Sequence, residues 1–297
     1  MDVMDPKNSG WWGKGWGDMT AQPLVSIGIP TYNRADLLDK AIASAVAQTY
    51  PHLEIVISDN HSTDPTESLV QDWCQRDPRI RYHRHFENIG PYGNFRAVLK
   101  EAHGEYFMWL GDDDWINPNY VQTCWEYLQH HPGTVLVSGQ VTYYHQGQFH
   151  HAGEFFQIQA ADPCQRVLQY YQEVFENGIY YGLMPRYYAE NLHIYQALAS
   201  DCAMVASLAF QGAVVMVADT HLHREFNHVV PRNQARRILQ NLGLRWLYGL
   251  IRRLIIAKTA SHDILTNPVY EGLGWGKRLR LAVGVWITVV GRKRSWL

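Results

Sequence analysis

Cysteine is scarce: Cys74, Cys124, Cys164 and Cys202 are the only four in 297 residues, and no two form a C-x-x-C pair. That spacing excludes a disulfide framework and a thiolate zinc site, and the apolar or helical surroundings predict buried, reduced thiols of a cytoplasmic protein. No run reaches the ~20 apolar residues that a membrane-spanning helix needs. The opening stretch lacks an apolar core and carries Asp2 and Asp5 where a secretory leader is positive, so it is not read as a signal peptide. No G-x-G-x-x-G follows a strand-like run, because the glycines of Gly10–Gly17 precede the first one. Gly272, Gly274 and Gly276 are too closely spaced for a phosphate-binding loop, and Arg278 stands where such a loop needs Ser or Thr. A dinucleotide dehydrogenase and a P-loop nucleotidase are thereby excluded.

Charge is also modest, at 18% of residues, and the net charge of −2 conceals a division. Residues 1–231 carry a balance of −13, whereas residues 232–297 carry +11, with Asp263 and Glu271 their only acids. Such a split marks a different environment for the tail, an anionic membrane surface or nucleic acid. With 46% hydrophobic residues the rest can bury one large core. Three segments follow: a flexible Gly- and Trp-rich lead-in at 1–23, a main domain at 24–231 and a basic amphipathic helical tail at 232–297.

Periodicity gives the main domain its class. Leu24–Pro30, Leu53–Ser58, Arg79–His85 and Glu105–Leu110 are short apolar or β-rich runs. Between them, Arg34–Gln48 carries apolar residues at helical spacing, Asp64-Pro65-Thr66-Glu67 is a helix-opening signal, and Asn94–His103 is a helix closed by Gly104. Pro118 opens another helix, Thr134–Tyr144 is a long strand, and Ala213–Ala218 is one further apolar run in a mainly helical second half. Strand and helix in this alternation predict an α/β fold with a mostly parallel central sheet flanked by helices.

Ligands of open α/β sheets bind beyond the carboxyl ends of the strands. In this chain the polar clusters stand at those ends: Pro30-Thr31-Tyr32-Asn33-Arg34, Asp59–Asp64, Asn88-Ile89-Gly90 and Gly111-Asp112-Asp113-Asp114. A polar turn explains any one of them, but four on one edge make a site. Three adjacent carboxylates repel one another unless a cation sits among them. Hard oxygen donors suit Mg²⁺ or Mn²⁺, which usually share their coordination sphere with substrate phosphates. The plainer alternative is a solvated acidic turn ahead of the next helix.

Taken in order, Val25–Arg34, Ile57–Asp64, Asn88–Gly90 and Gly104–Asp114 resemble the opening motifs of the family 2 inverting glycosyltransferases of GT-A fold, densely over residues 24–130 and more thinly to about 230. The resemblance implies a sugar transfer from a nucleotide-diphosphate donor, UDP favoured, to a glycan or glycolipid acceptor. Pro30, Thr31, Asn33, Arg34 and Asn88 would line the donor site, with Thr31 and Asn33 at base and ribose and Asp59 accepting a hydrogen bond from the base. Asp112 and Asp114 would form the D-x-D element, with Asp114 the direct ligand of Mn²⁺ or Mg²⁺, Asp112 nearer the ribose or the metal's waters, and Asp113 beside them. The chain departs from the pattern at Ser58, where many relatives carry a second acid; this bears on which base is accepted.

The family's catalytic base lies downstream, at the start of a helix that ends in Gly before a strand. Ala199–Cys202, followed by Gly212 and Ala213–Ala218, resembles that segment, with Ser200 where an acid is more usual. Asp201 is the candidate base and Glu190 the reserve; a helix-terminal acid stabilised by the dipole is the bland reading of Asp201. His223 is a candidate for the metal sphere or the diphosphate, with Arg224 as a diphosphate partner. A sugar-phosphate nucleotidyltransferase is the rival enzyme, but Pro30–Asn33 is not the Gly-rich basic loop that a triphosphate needs. A non-catalytic membrane-associated nucleotide-sugar binder is the rival from another class. In the tail, Leu242–Ala257 and Leu281–Gly291 are apolar with flanking Arg, Lys and Trp, which suits a peripheral position on an anionic membrane surface better than nucleic acid, though simple packing on the main domain accounts for part of it.

Overall fold

A computed structural model of the protein describes residues 22–225 and 245–292. The lead-in up to residue 21, the boundary at 231/232 and the last five residues lie outside the described part.

Strand β1 (Val25–Thr31) is buried along its whole length, as is β2 (Leu53–Asp59), which fits a parallel sheet covered on both faces. With β3 (Ile80–Arg84) and β4 (Tyr106–Trp109) they form a parallel sheet of order β3-β2-β1-β4. Helices α1 (Ala35–Val46), α2 (Thr66–Arg76) and α3 (Gly90–Lys100) make the crossovers. In the parallel register Thr31 pairs with Asp59 and Asp59 with Arg84, so the polar strand ends form one row at the carboxyl edge.

A second sheet extends the first. It is built on β6 (Thr134–His145) and β10 (Ala213–Glu225), which run parallel, with β5 (Asp114–Ile116) antiparallel on the far side of β10. The hairpin strand β7 (Gln148–Ala152) borders β6, and β8 (Gln157–Ile158) pairs with β10. The sheets are stitched where Leu183 bridges Val137 and the adjoining β9 (Met184–Pro185) pairs with β4. The sequence predicted one mostly parallel sheet; the run predicted at Ala213–Ala218 in fact continues to Glu225. Helix α4 (Tyr120–His130) packs against β6 and β10, while α5 (Pro163–Glu173), the short α6 (Arg186–Glu190) and α7 (Ser200–Gln211) belong to the second half.

Two helix starts differ from expectation. Helix α3 begins at Gly90 rather than Asn94, because the Asn88 side chain accepts the Gly90 N–H at 2.8 Å. Helix α2 begins at Thr66, and Asp64 serves two helices at once: Oδ1 accepts from the Thr66 N–H and Oδ2 from the Ala35 N–H that opens α1. The tail packs on the domain, as α8 (Arg245–Thr266) and α9 (Trp275–Gly291) lie against each other, α9 also touching α5 and α8 touching α7. All four cysteines are free thiols, with Cys124 and Cys202 buried.

Candidate active site

The aspartate turn is held from both sides. After β4, Gly111 accepts the Asp114 N–H at 3.1 Å, and this tight turn delivers Asp114 onto β5. A Cβ on Gly111 would stand 2.7 Å from Asp114 Oδ2, so the turn leaves no room for a side chain there. Thr31 at the end of β1 donates its hydroxyl to Asp112 Oδ2 at 3.0 Å. Arg34 reaches Asp112 Oδ1 and Asp113 Oδ2 with one nitrogen, 3.0 Å from each. Two of the four predicted clusters therefore meet directly.

Burial separates the three acids. Asp113 is half-buried, whereas Asp112 is 7% and Asp114 1% exposed. Burial pushes Asp114 up to about 7 against the pull of Arg224, with Asp113 and Asp112 adding to the rise. Burial likewise lifts Asp112 to about 6, against Arg34. Both are carboxylates that a further cation would relieve. Asp114 Oδ2 accepts from Arg224 Nε at 3.1 Å, while Oδ1 is buried without a hydrogen-bond partner. The pairing follows from register, since Arg224 on β10 lies opposite Asp114 on β5. Burial alone would lower the Arg224 guanidinium, but Asp114 holds it well above its ordinary value.

The same register places His223 elsewhere. Side chains alternate along a strand, so His223, opposite Trp115, emerges on the other face of the sheet. There it stacks on Trp115, its Nδ1 lies 2.6 Å from Thr142 Oγ1, and its Nε2 lies 2.6 Å from Asn117 Oδ1. Burial lowers it to about 4, with His221 and Lys40 adding to the effect. The structure does not bring His223 to the aspartates; Arg224 holds that position.

The remaining predicted residues form a wall beside the turn. Asn33, at a positive φ of 52°, accepts the Thr63 N–H on its side chain and binds Ser62 Oγ through its own N–H. Asp59 is fully buried, accepting from Tyr82 Oη at 2.7 Å and the Ser62 N–H at 2.8 Å. Asn88 accepts from Asn60, whose own side-chain oxygen takes the Ile89 N–H, tying the second cluster to the third. Pro30 is buried within β1, and Thr31 at 2% exposure spends its hydroxyl on Asp112. The unusual Ser58 is buried, donating to Asn94 and meeting His85.

A cavity of about 610 Å³ opens beside Arg224, lined by Phe95, Asn177, Tyr180, Tyr181, Asp201, Arg252 and Ile256 among others. Asp201 enters it from the first turn of α7, with Oδ2 accepting from Asn177 at 3.0 Å. The preceding Ala199 adopts a left-handed φ of 63°, which sets the angle of that turn. Tyr181 lines the cavity with Asp201 and lies 4.8 Å beneath the guanidinium of Arg224, which bonds Asp114, so cavity and aspartate turn share one neighbourhood. The reserve acid Glu190 is not in the cavity lining and pairs with Arg186 at 2.6 Å. Asn177, Tyr82 and Asn117 had no sequence signal, because each acts on a residue distant along the chain.

Comparison with known proteins places the chain in a family and a fold. Residues 26–197 match the family model described as glycosyl transferase family 2. The GalNAc(5)-diNAcBac-PP-undecaprenol beta-1,3-glucosyltransferase of Campylobacter jejuni is 43% identical over 94 residues, 31% of this chain and 30% of that protein. The putative teichuronic acid biosynthesis glycosyltransferase TuaG of Bacillus subtilis is 36% identical over 93 residues, 31% of this chain and 37% of the relative. The similarity thus spans about a third of these relatives. Among solved structures, S. aureus TarS 1-349 in complex with UDP-GlcNAc gives a TM-score of 0.56 at 17% identity, covering 90% of this chain and 81% of that one. The mannosyltransferase PcManGT from Pyrobaculum calidifontis, in complex with GDP-Man and Mn²⁺, gives 0.55 at 17% identity, covering 96% and 81%. These likenesses show the fold, which is of GT-A type.

Proposed function

The chain belongs to glycosyl transferase family 2, and on that premise we propose that it moves a sugar from a nucleoside-diphosphate donor, UDP favoured, to an acceptor hydroxyl with inversion at the anomeric carbon. The observation that carries this reading is Asp114, a buried carboxylate with one oxygen on Arg224 and the other unpartnered, at the carboxyl edge of a parallel sheet. The UDP-GlcNAc bound to one fold neighbour, and the GDP-Man and Mn²⁺ bound to another, support the donor class and a divalent cation.

The residues present fit such a cation. No group of three or more His, Cys, Asp or Glu converges among the described residues, so the protein offers no complete cage. Mg²⁺ and Mn²⁺ suit an arrangement of one or two carboxylates plus phosphate and water, and Asp114 Oδ1 is a hard donor without a partner. Asp114 and Asp112 would hold the ion, which supplies Lewis-acid stabilisation of the departing diphosphate oxygen.

The chain's own residues do the rest. Thr31 and Arg34 fix Asp112, and Arg224 opposes the rise that burial imposes on Asp114 and holds it in place. The Asn33–Thr63 and Asn60–Asn88 locks shape the wall against which base and ribose lie. Asp201, oriented by Asn177, takes the proton of the acceptor hydroxyl as that oxygen bonds to the anomeric carbon and the bond to the diphosphate breaks. The match to the family ends at residue 197, yet Asp201 and Arg224 follow it, so the transferase domain is taken as 24–231. The cavity that Asp201 enters is the acceptor site, and the names of the two relatives support a glycan or glycolipid there.

Incubation with UDP-sugars, without acceptor, tests the reading. Slow metal-dependent release of UDP is expected. Pyrophosphate exchange would indicate a nucleotidyltransferase instead, and binding with no turnover would indicate a non-catalytic binder.

A further inference from the structure

A helix docked on a domain is normally apolar toward the core and polar elsewhere. Helix α9 is apolar twice. Leu281, Ala282, Val285 and Val289 are buried on one stripe. At about 100° per residue, Trp275, Leu279, Val283, Trp286 and Ile287 fall in a second arc about 120° wide beside it. All five are exposed, between 40% and 66%. Helix α8 repeats the pattern, with Ile256, Ala257, Ala260 and Ile264 buried while Ile251, Leu254 and Ile255 are exposed. The two helices pack against each other, and eight exposed apolar side chains on them are more than scattered surface residues.

We propose that the outer face of α9, together with the exposed row of α8, rests in the headgroup layer of an anionic lipid bilayer. No helix among the described residues is long and apolar enough to cross a membrane, so the patch would lie in the plane of the interface. Trp275 and Trp286 are the side chains that favour the boundary between water and hydrocarbon. Lys258, Lys277 and Arg280 stand exposed around the arc, and Glu271 is the only exposed acid in 245–292. This rim is complementary to phosphate-bearing lipids. A second copy of the chain would set the same basic rim against itself, which disfavours a homodimer on this face.

Helix α8 also links the patch to the cavity. Arg252 and Ile256 line it, while Ile251 and Ile255 on the next row face outward. Bilayer docking would thus hold the cavity beside the lipid surface, where a lipid-linked acceptor presents its head group. The link to a lipid-linked acceptor rests on the transfer reading; the docking itself does not.

Flotation of the full-length protein with vesicles of phosphatidylcholine, with and without phosphatidylglycerol, tests the proposal. The wild type is expected to float with phosphatidylglycerol vesicles, less so at high salt. The double substitution Trp286→Glu with Ile287→Glu should cut the bound fraction on the order of tenfold, with the unfolding temperature unchanged because both side chains are exposed. Charge reversal at Lys277 and Arg280 leaves the apolar arc intact and should weaken binding to the anionic vesicles alone. Absence of wild-type flotation, or flotation of both variants equal to that of the wild type, overturns the proposal. So does a concentration-dependent dimer that the Trp286/Ile287 variant abolishes, which would assign the face to a second copy. Nucleotide binding measured on the same samples reports separately on the transfer reading.

Discussion

Arg224 Nε lies 3.1 Å from Asp114 Oδ2, joining the last residue but one of β10 to the first residue of β5. Arg224 is the cationic half of a site whose other half is Asp114, with its Oδ1 unpartnered. Removing one partner of a buried ion pair leaves an uncompensated charge. Arg224 is 27% exposed and Asp114 can take up a proton in its absence, so Arg224→Met should destabilise the protein in chemical denaturation by less than the about 3–5 kcal/mol of a fully buried pair. Added Mn²⁺ should restore part of that loss, because a cation at Asp114 replaces the missing charge, and Arg224→Lys should cost less than Arg224→Met.

Asp201 and Glu190 separate under mutation. Asp201→Asn keeps the Asn177 contact region but removes the base, so kcat should fall by roughly 10²- to 10⁴-fold. Donor nucleotide affinity in calorimetry should be unchanged. Glu190→Gln, on an exposed pair outside the cavity lining, should leave kcat near wild type. A reversed outcome would move the base to α6.

Gly111→Ala tests the turn itself. The added methyl would lie 2.7 Å from Asp114 Oδ2 and 3.1 Å from Asp113 Oδ1, so the carboxylates must shift. Metal-dependent nucleotide binding should weaken by more than about tenfold, since a displacement near 1 Å in a positioned group is costly. Circular dichroism should show the fold retained.

The tail carries a pH-dependent element. Burial lifts Asp263 to about 7, with the Asn267 side chain opposing the rise and His193 3.7 Å away. A carboxyl whose folded pKa is raised binds its proton more tightly when folded. Its contribution is therefore fully present below the ordinary value of 3.8 and is lost as pH rises through about 7. The difference in melting temperature between Asp263→Asn and wild type should grow in favour of the variant between pH 5 and 8, as roughly set by that range.

The first sheet and its polar edge were legible because apolar runs and polar ends are both local patterns. Thr31, Arg34 and Asp112–Asp114 meet as their positions at parallel strand ends implied. The second sheet was not legible in full. Its β6–β10 pairing joins residues some 80 positions apart, and β5 is only three residues long. The choice between His223 and Arg224 as the neighbour of Asp114 depends on strand register, and a shift of one residue exchanges the faces. Periodicity could not decide it. The start of α3 was not legible for a related reason: Asn88 accepts the Gly90 N–H and is itself held by Asn60, 28 positions earlier. The tail's packing was ambiguous in sequence because α9 has two apolar arcs, and only the structure shows which one is covered.

The most direct test of the central claim is calorimetric titration of the protein with UDP, GDP and dTDP, each in Mn²⁺ and in EDTA, repeated on Asp114→Ala. The account predicts binding of one nucleotide, UDP favoured, that requires the cation and disappears in the variant. Failure of every nucleotide to bind, or binding indifferent to both EDTA and the loss of Asp114, would contradict it.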